Sequence, residues 1–155
     1  MRIGLDLDDT LVSFVDTFER YVVKRYPEME EVVRNSVPSY DWFESWGWNR
    51  DRFIIEMDIA CDNKELFWVG ELFEADAKQQ ILRLRRAGHS IHVVTHRGFV
   101  SRGCDATHHW VGRNLGWVDS ITLSGDKTSV PTDAFLEDNI AHYDALERAG
   151  VNAFL

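Results

Sequence analysis

Residues 2–10 read Arg2-Ile3-Gly4-Leu5-Asp6-Leu7-Asp8-Asp9-Thr10. Ile3, Leu5 and Leu7 alternate with small or acidic neighbours, the two-residue period of a strand, and Asp8-Asp9-Thr10 stops it. The next segment has a different period. Phe14, Phe18, Tyr21 and Val22 recur at steps of three and four residues, which predicts a helix closing near Pro27, a residue that cannot continue one.

The same strand-then-helix rhythm returns from Glu74 onward. A helix with Ala77, Ile81 and Leu84 inward stops at Gly88 and is followed by the strand Ser90-Ile91-His92-Val93-Val94-Thr95. Trp110, Val111 and Leu115 mark a helix within 101–115 that closes at Gly116, and Ser120-Ile121-Thr122-Leu123 is the next strand. Ala134-Phe135-Leu136-Glu137 is a further strand, Ile140, Tyr143 and Leu146 mark a helix ending at Gly150, and 151–155 is a last short strand. Strands alternating with helices of this length imply parallel βαβ units, so the expected architecture is α/β, a doubly wound, Rossmann-like parallel sheet.

Residues 27–73 break the rhythm. They hold nine of the 19 aromatic residues (Tyr40, Trp42, Phe43, Trp46, Trp48, Phe53, Phe67, Trp68, Phe73) and only short helical stretches such as 51–61. This is the pattern of a small helical insertion after the first strand-helix unit, leaving 1–26 and 74–155 as the α/β core.

Composition narrows the function classes. With 45% apolar and 28% charged residues the chain is an ordinary globular protein. Seventeen Lys and Arg against 26 Asp and Glu give a charge of -9, which repels a nucleic-acid polymer and leaves room for a small anionic substrate only beside a local cation. Cys61 and Cys104 form no CxxC pattern, which suits a reducing cytoplasm. No apolar run is long enough for a signal peptide or membrane span, so a cytoplasmic location without membrane attachment is expected. A homodimer stays open.

In open α/β sheets ligands bind outside the carboxyl ends of the strands, at a topological switch point. Here those ends carry Asp6-Leu7-Asp8-Asp9-Thr10, Thr95-His96-Arg97, Gly125-Asp126-Lys127-Thr128 and Glu137-Asp138-Asn139. Carboxylates converging from separate strands repel one another unless a hard cation lies between them, and an oxygen-only set of two or three acids suits magnesium shared with a substrate phosphate. Lys127 adds a fixed positive charge and Thr95 a hydroxyl, the donors a phosphoryl group needs. Asp6 and Asp8 would share a face in extended geometry unless the turn separates them. One can then attack phosphorus while the other, protonated, donates to the leaving oxygen and later activates water. Such a site implies phosphomonoester hydrolysis.

Asp6-Leu7-Asp8-Asp9-Thr10, Thr95 after its apolar strand, Lys127, and Glu137-Asp138 resemble, in order, the four motifs of the haloacid dehalogenase-like (HAD-like) phosphohydrolases, and the second aspartate resembles their phosphotransferase branch. Within that superfamily the chain looks most like the 5'(3')-deoxyribonucleotidases. The similar strings are Asp6-x-Asp8-x-x-Leu11-x-x-Phe14, Leu66-Phe67-Trp68, Trp110-Val111 with Leu115-Gly116, and Asp126-Lys127-Thr128. The resemblance implies a helical cap over the site, Asp6 as nucleophile and Asp8 as acid and base. It implies magnesium on Asp6, the Asp8 carbonyl and Asp138, with Glu137 behind them, and phosphate on Thr95, Lys127 and the His96 N–H. Phe14, Phe67 and Trp68 would line the base pocket for a nucleoside monophosphate. The chain departs from that family where it has Asp9-Thr10 for Gly-Val, Ser13 for an acid, and His96-Arg97 for Ser-Pro. These differences bear on sugar and base preference.

Blander roles compete at several positions. Phe14 and Phe18 at helical spacing suit a core, the aromatic insertion can be a core of its own, and Cys104, His108 and His109 are too few ligands for zinc. The rival functions are hydrolysis of another small phosphate ester or of a nucleic-acid 3' phosphate, and non-catalytic nucleotide binding.

Overall fold

A computed structural model describes residues 1–36, 39 and 41–155. Five short strands, β1 (Arg2–Leu5), β2 (Ser90–Thr95), β3 (Ser120–Leu123), β4 (Ala134–Leu136) and β5 (Asn152–Phe154), pair in parallel in the order β3-β2-β1-β4-β5. Helices α1 (Phe14–Arg25), α2 (Glu30–Arg34), α3 (Arg50–Asp62), α4 (Ala77–Arg86), α5 (Gly103–Leu115) and α6 (Ile140–Arg148) make up the rest, with short 3-10 turns. This is the expected doubly wound α/β sheet.

Alternation along the strands sorts side chains to two faces. Leu5, Ile91 and Val93 pack with Ile81 of α4 and Trp110, Val111 and Leu115 of α5. On the other face Val94 and Phe135 pack with Leu146 of α6. The Phe135 ring lies against β1 at Gly4, where a Cβ would overlap it, so a glycine is required there. The chain runs from β1 outward to β2 and β3, then returns to the other side of β1 as β4. The reversal therefore opens a crevice between the carboxyl ends of β1 and β4.

Boundaries differ from the expected ones by one or two residues where loops take over the backbone. β1 stops at Leu5: the Asp6 N–H still donates to Leu136 O at 3.0 Å, but Leu7 O already accepts from the Leu11 and Val12 N–H groups, which starts a turn. Leu84 is corrected more substantially. It is 38% exposed, because the inward stripe of α4 runs Ala77, Ile81, Arg85, and Arg85 ends it by donating to Asp119 at 2.8 Å.

Residues of the insertion form an aromatic cluster with α1. Phe18 sits at its centre, 5.3 Å from Phe53 and 6.0 Å from Trp42, while Phe43 stacks on Phe53 at 4.2 Å. Phe18, Tyr21 and Val22 of α1 are buried with Val33, Trp42, Phe43, Trp46, Trp48 and Met57 in one core. Tyr40, counted among the insertion's aromatics, lies outside the described residues. Buried Glu56 is kept hydrogen-bonded by Tyr21 Oη at 2.9 Å and Tyr26 Oη at 2.5 Å, with Arg25 Nε 3.2 Å away. Among the described residues, no helix is long and apolar enough to cross a membrane.

Candidate active site

The crevice between β1 and β4 collects the polar strand ends. Leu5 pairs with Leu136, so Asp6 and Glu137 emerge side by side. One carboxylate oxygen from each of Asp6, Glu137 and Asp138 lies within 4.8 Å of the others. Asp6 and Glu137 are buried; Asp138 is exposed and accepts from Thr10 Oγ1 at 3.4 Å. Behind Asp138 the Asn139 side chain caps α6 by accepting from the Ala141 and His142 N–H groups, which fixes the end of β4. His142 Nδ1 lies 3.2 Å from Glu137 Oε1.

Lys127 reaches this cluster from the loop after β3. Asp126 accepts from Thr128 N and Oγ1, pinning the 3-10 turn Lys127–Ser129 and turning Lys127 inward. The Lys127 ammonium is 2% exposed, donates to Val94 O at 2.9 Å, and lies 2.6 Å from Asp6 Oδ1 and 3.6 Å from Glu137 Oε2. One ammonium does not balance three carboxylates. Burial pushes Asp6 up to about 7 against the pull of Lys127, with Glu137 and Asp8 raising it further. Burial likewise raises Glu137 and Asp138. Glu137 Oε2 is buried without a hydrogen-bond partner, and so is Thr95 Oγ1 at the end of β2, while Asp6 Oδ1 is met by the Lys127 ammonium. A buried polar oxygen without a partner is costly unless something occupies the space beside it.

Asp6 and Asp8 do not share partners, since the turn after β1 separates them. Asp8 is gripped by Arg97, whose Nε lies 3.1 and 2.9 Å from the two carboxylate oxygens and whose Nη2 donates to Oδ1 at 2.6 Å. In this arrangement both Asp8 oxygens accept from the Arg97 guanidinium. Asp9 adopts φ +54, and its Oδ1 accepts from the Phe14 and Val15 N–H groups to cap α1. Burial pushes the Asp9 carboxyl up to about 6 against those bonds.

The three aromatic residues expected to line a pocket are placed unequally. Phe14 stacks on Phe67 at 5.9 Å. Phe67 is buried in the left-handed region at φ +61, a strained setting for a bulky residue, with its ring 4.6 Å from the Arg97 guanidinium. Trp68 is held by other partners. Its indole N–H donates to Cys61 O at 2.9 Å, and its ring meets Lys64, Arg102 and His109. His96 is exposed, its ring 5.4 Å from Phe99 and packed over Gly125. The sequence reading gave Arg97 no role at the site; no local pattern marks it, since it follows His96 beyond the end of β2 and its partner Asp8 lies 89 residues earlier.

No protein-family model and no curated protein matches the chain. Solved structures do. A hydrolase from Streptococcus pneumoniae TIGR4 shares 14% identity, with a TM-score of 0.63 over 99% of this chain and 91% of that one. L-2-haloacid dehalogenase from Xanthobacter autotrophicus, with chloropropionic acid covalently bound, shares 12%, with a TM-score of 0.62 over 98% and 75%. The HAD-hydrolase YfnB from Bacillus subtilis, bound to magnesium, shares 14%, with a TM-score of 0.61 over 98% and 86%. The fold is therefore that of the HAD-like hydrolases.

Proposed function

We propose that the chain is a magnesium-dependent phosphomonoesterase that hydrolyses nucleoside monophosphates through a phosphoryl group carried on Asp6. The observation that carries this is the meeting of Asp6, Glu137 and Asp138 within 4.8 Å beside buried Lys127, at the switch point of a HAD-like sheet.

The donor set fits a hard divalent cation. The donors that meet here are carboxylate oxygens, Glu137 Oε2 is buried without a hydrogen-bond partner, and burial raises all three carboxyls against the pull of the single ammonium of Lys127. Asp6, Asp138 and the Asp8 carbonyl would hold magnesium, with Glu137 lying against them. Bound there, the cation supplies charge stabilisation to the transferring phosphoryl oxygens. The remaining roles belong to the chain. The unpartnered Thr95 hydroxyl, the Lys127 ammonium and the His96 N–H bind phosphate. An Asp6 oxygen attacks phosphorus as the ester P–O bond breaks, and Asp8 gives its proton to the leaving oxygen. Water then attacks the phosphorus, gives its proton to Asp8, and releases phosphate and the Asp6 carboxylate.

Phe14 and Phe67, stacked near Asp8, support an aromatic leaving group such as a nucleoside. The charge of -9 disfavours a polymer. A second reading, another small phosphate ester, is favoured by Trp68, whose ring and N–H already have protein partners. A phosphate-release screen over nucleoside monophosphates, sugar phosphates and an aryl phosphate with magnesium decides between them. Preference for a nucleoside monophosphate is expected; preference for a sugar phosphate transfers the assignment to the second reading, and no release from any of them rejects both.

A further inference from the structure

Arg97 is the largest fully buried charged side chain in the described structure, at 1% exposure, and it lies outside the set of groups that bind phosphate or metal in the proposal above. Three observations surround it. Its fork holds both oxygens of Asp8, a residue 89 positions away in the chain. Its outer face is covered by the Phe67 ring, 4.6 Å from the guanidinium carbon, and its Nη1 lies 3.5 Å from Phe67 O. Its own backbone is fixed from behind by Gly103, where a Cβ would overlap Arg97 O. The loop that Arg97 begins is in turn tied to the cap: Ser101 N donates to Asp58 Oδ1 at 2.7 Å and Ser101 Oγ to Asp62 Oδ1 at 3.1 Å, both acids on α3.

We propose that Arg97 is a positioning residue for Asp8, holding its carboxylate in one rotamer, and that Phe67 of the cap keeps the guanidinium in that place. The proposal rests on the reading of Asp8 as the group that takes the proton from water. A carboxylate on the turn after a strand end has free rotation about two bonds, and a proton acceptor works only within hydrogen-bond reach of the water it activates. A bidentate planar fork removes that freedom, which a lysine's single point charge cannot do. Burial under an aromatic face keeps water from competing for the guanidinium and strengthens the contact. Phe67 accepts a left-handed backbone to reach this position, which places the strain where the cap meets the acid. Arg97 touches neither phosphate nor metal in this scheme. Its loss therefore acts on turnover and leaves substrate binding alone.

The test uses the full chain with magnesium and a small aryl phosphate, too small to depend on pocket contacts. Arg97→Lys keeps the charge and removes the fork; kcat should fall roughly thirtyfold to hundredfold, the cost of about an ångström of misplacement, with KM changed by no more than about twofold. In an Asp8→Asn background the same substitution should add no further loss, because the two residues act as one unit. Phe67→Leu should lower kcat by roughly threefold to tenfold through loss of the cation–π contact, and it decides the matter if Arg97→Lys fails to fold by circular dichroism. An active wild type whose kcat is unaffected by Arg97→Lys, or whose loss lies in KM, or whose losses multiply with Asp8→Asn, overturns the proposal while the phosphatase reading stands. Unchanged kcat in Phe67→Leu overturns the part played by the cap. A wild type that releases no phosphate from any ester overturns both.

Discussion

Asp9 stands in a backbone conformation that favours glycine, at φ +54, and uses its side chain to cap α1. Two opposed effects meet at one residue. Asp9→Ala keeps the unfavourable angle and loses the cap, so it should lower stability by about 1–2 kcal/mol. Asp9→Gly loses the same cap but relieves the angle, and should cost less. Urea midpoints of the two variants check this, and a glycine variant less stable than the alanine one contradicts it. The residues at strand ends were readable because alternation locates an end without any structure: Asp6, Thr95 and Asp138 lie at or just past the ends of short strand patterns, and Lys127 lies in the loop that follows one. Arg97 was not readable in that way. Its significance comes from a partner 89 residues earlier and a ring from the cap, and neither distance is written in a local pattern.

The packing of β1 against β4 depends on a missing side chain. Phe135 covers Gly4, so Gly4→Ala should destabilise the sheet by about 1–3 kcal/mol through overpacking. Joining it to Phe135→Leu should recover part of that, as expected for neighbours that couple. Chemical denaturation of the single and double variants measures both, and a strictly additive double variant contradicts the contact. At the cap, Trp68 is a cation–π partner of Lys64 and Arg102 and packs on His109 of α5. If it stacks a base, Trp68→Ala should lose roughly tenfold to hundredfold in kcat/KM on a nucleoside monophosphate, and less on an aryl phosphate. Equal losses on both substrates would make it cap packing alone. All five strands and the principal helices were legible, since two-residue and 3.6-residue periods report burial on a sheet. The interior of the cap was not. Its aromatics mark that a core exists, but with short helices and irregular loops no period tells which rings face the site and which face each other.

Across the whole molecule the cluster of raised carboxyls links metal, protons and folding. The Asp6 carboxyl is raised from 3.8 to about 7, and Glu137 and Asp138 are also raised. A group raised on folding favours the folded state at low pH, and that contribution disappears as the pH rises from about 4 through about 7. The metal-free protein therefore carries its uncompensated charge at neutral and higher pH, where a divalent cation has most to offset. Magnesium should raise Tm little at pH 5 and much more at pH 8, since binding there displaces no protons. Differential scanning at both values with and without magnesium checks this; an equal shift at both contradicts it. The most direct measurement concerns Asp6 itself. Asp8→Asn, incubated with magnesium and an aryl phosphate whose good leaving group needs no acid, then quenched in acid and weighed intact, should be heavier by one phosphoryl group, and peptide mapping should place it on Asp6. The same experiment with Asp6→Asn added should give an unmodified chain. Phosphate release with no phosphorylated chain, or a phosphoryl group on any residue other than Asp6, would contradict the mechanism.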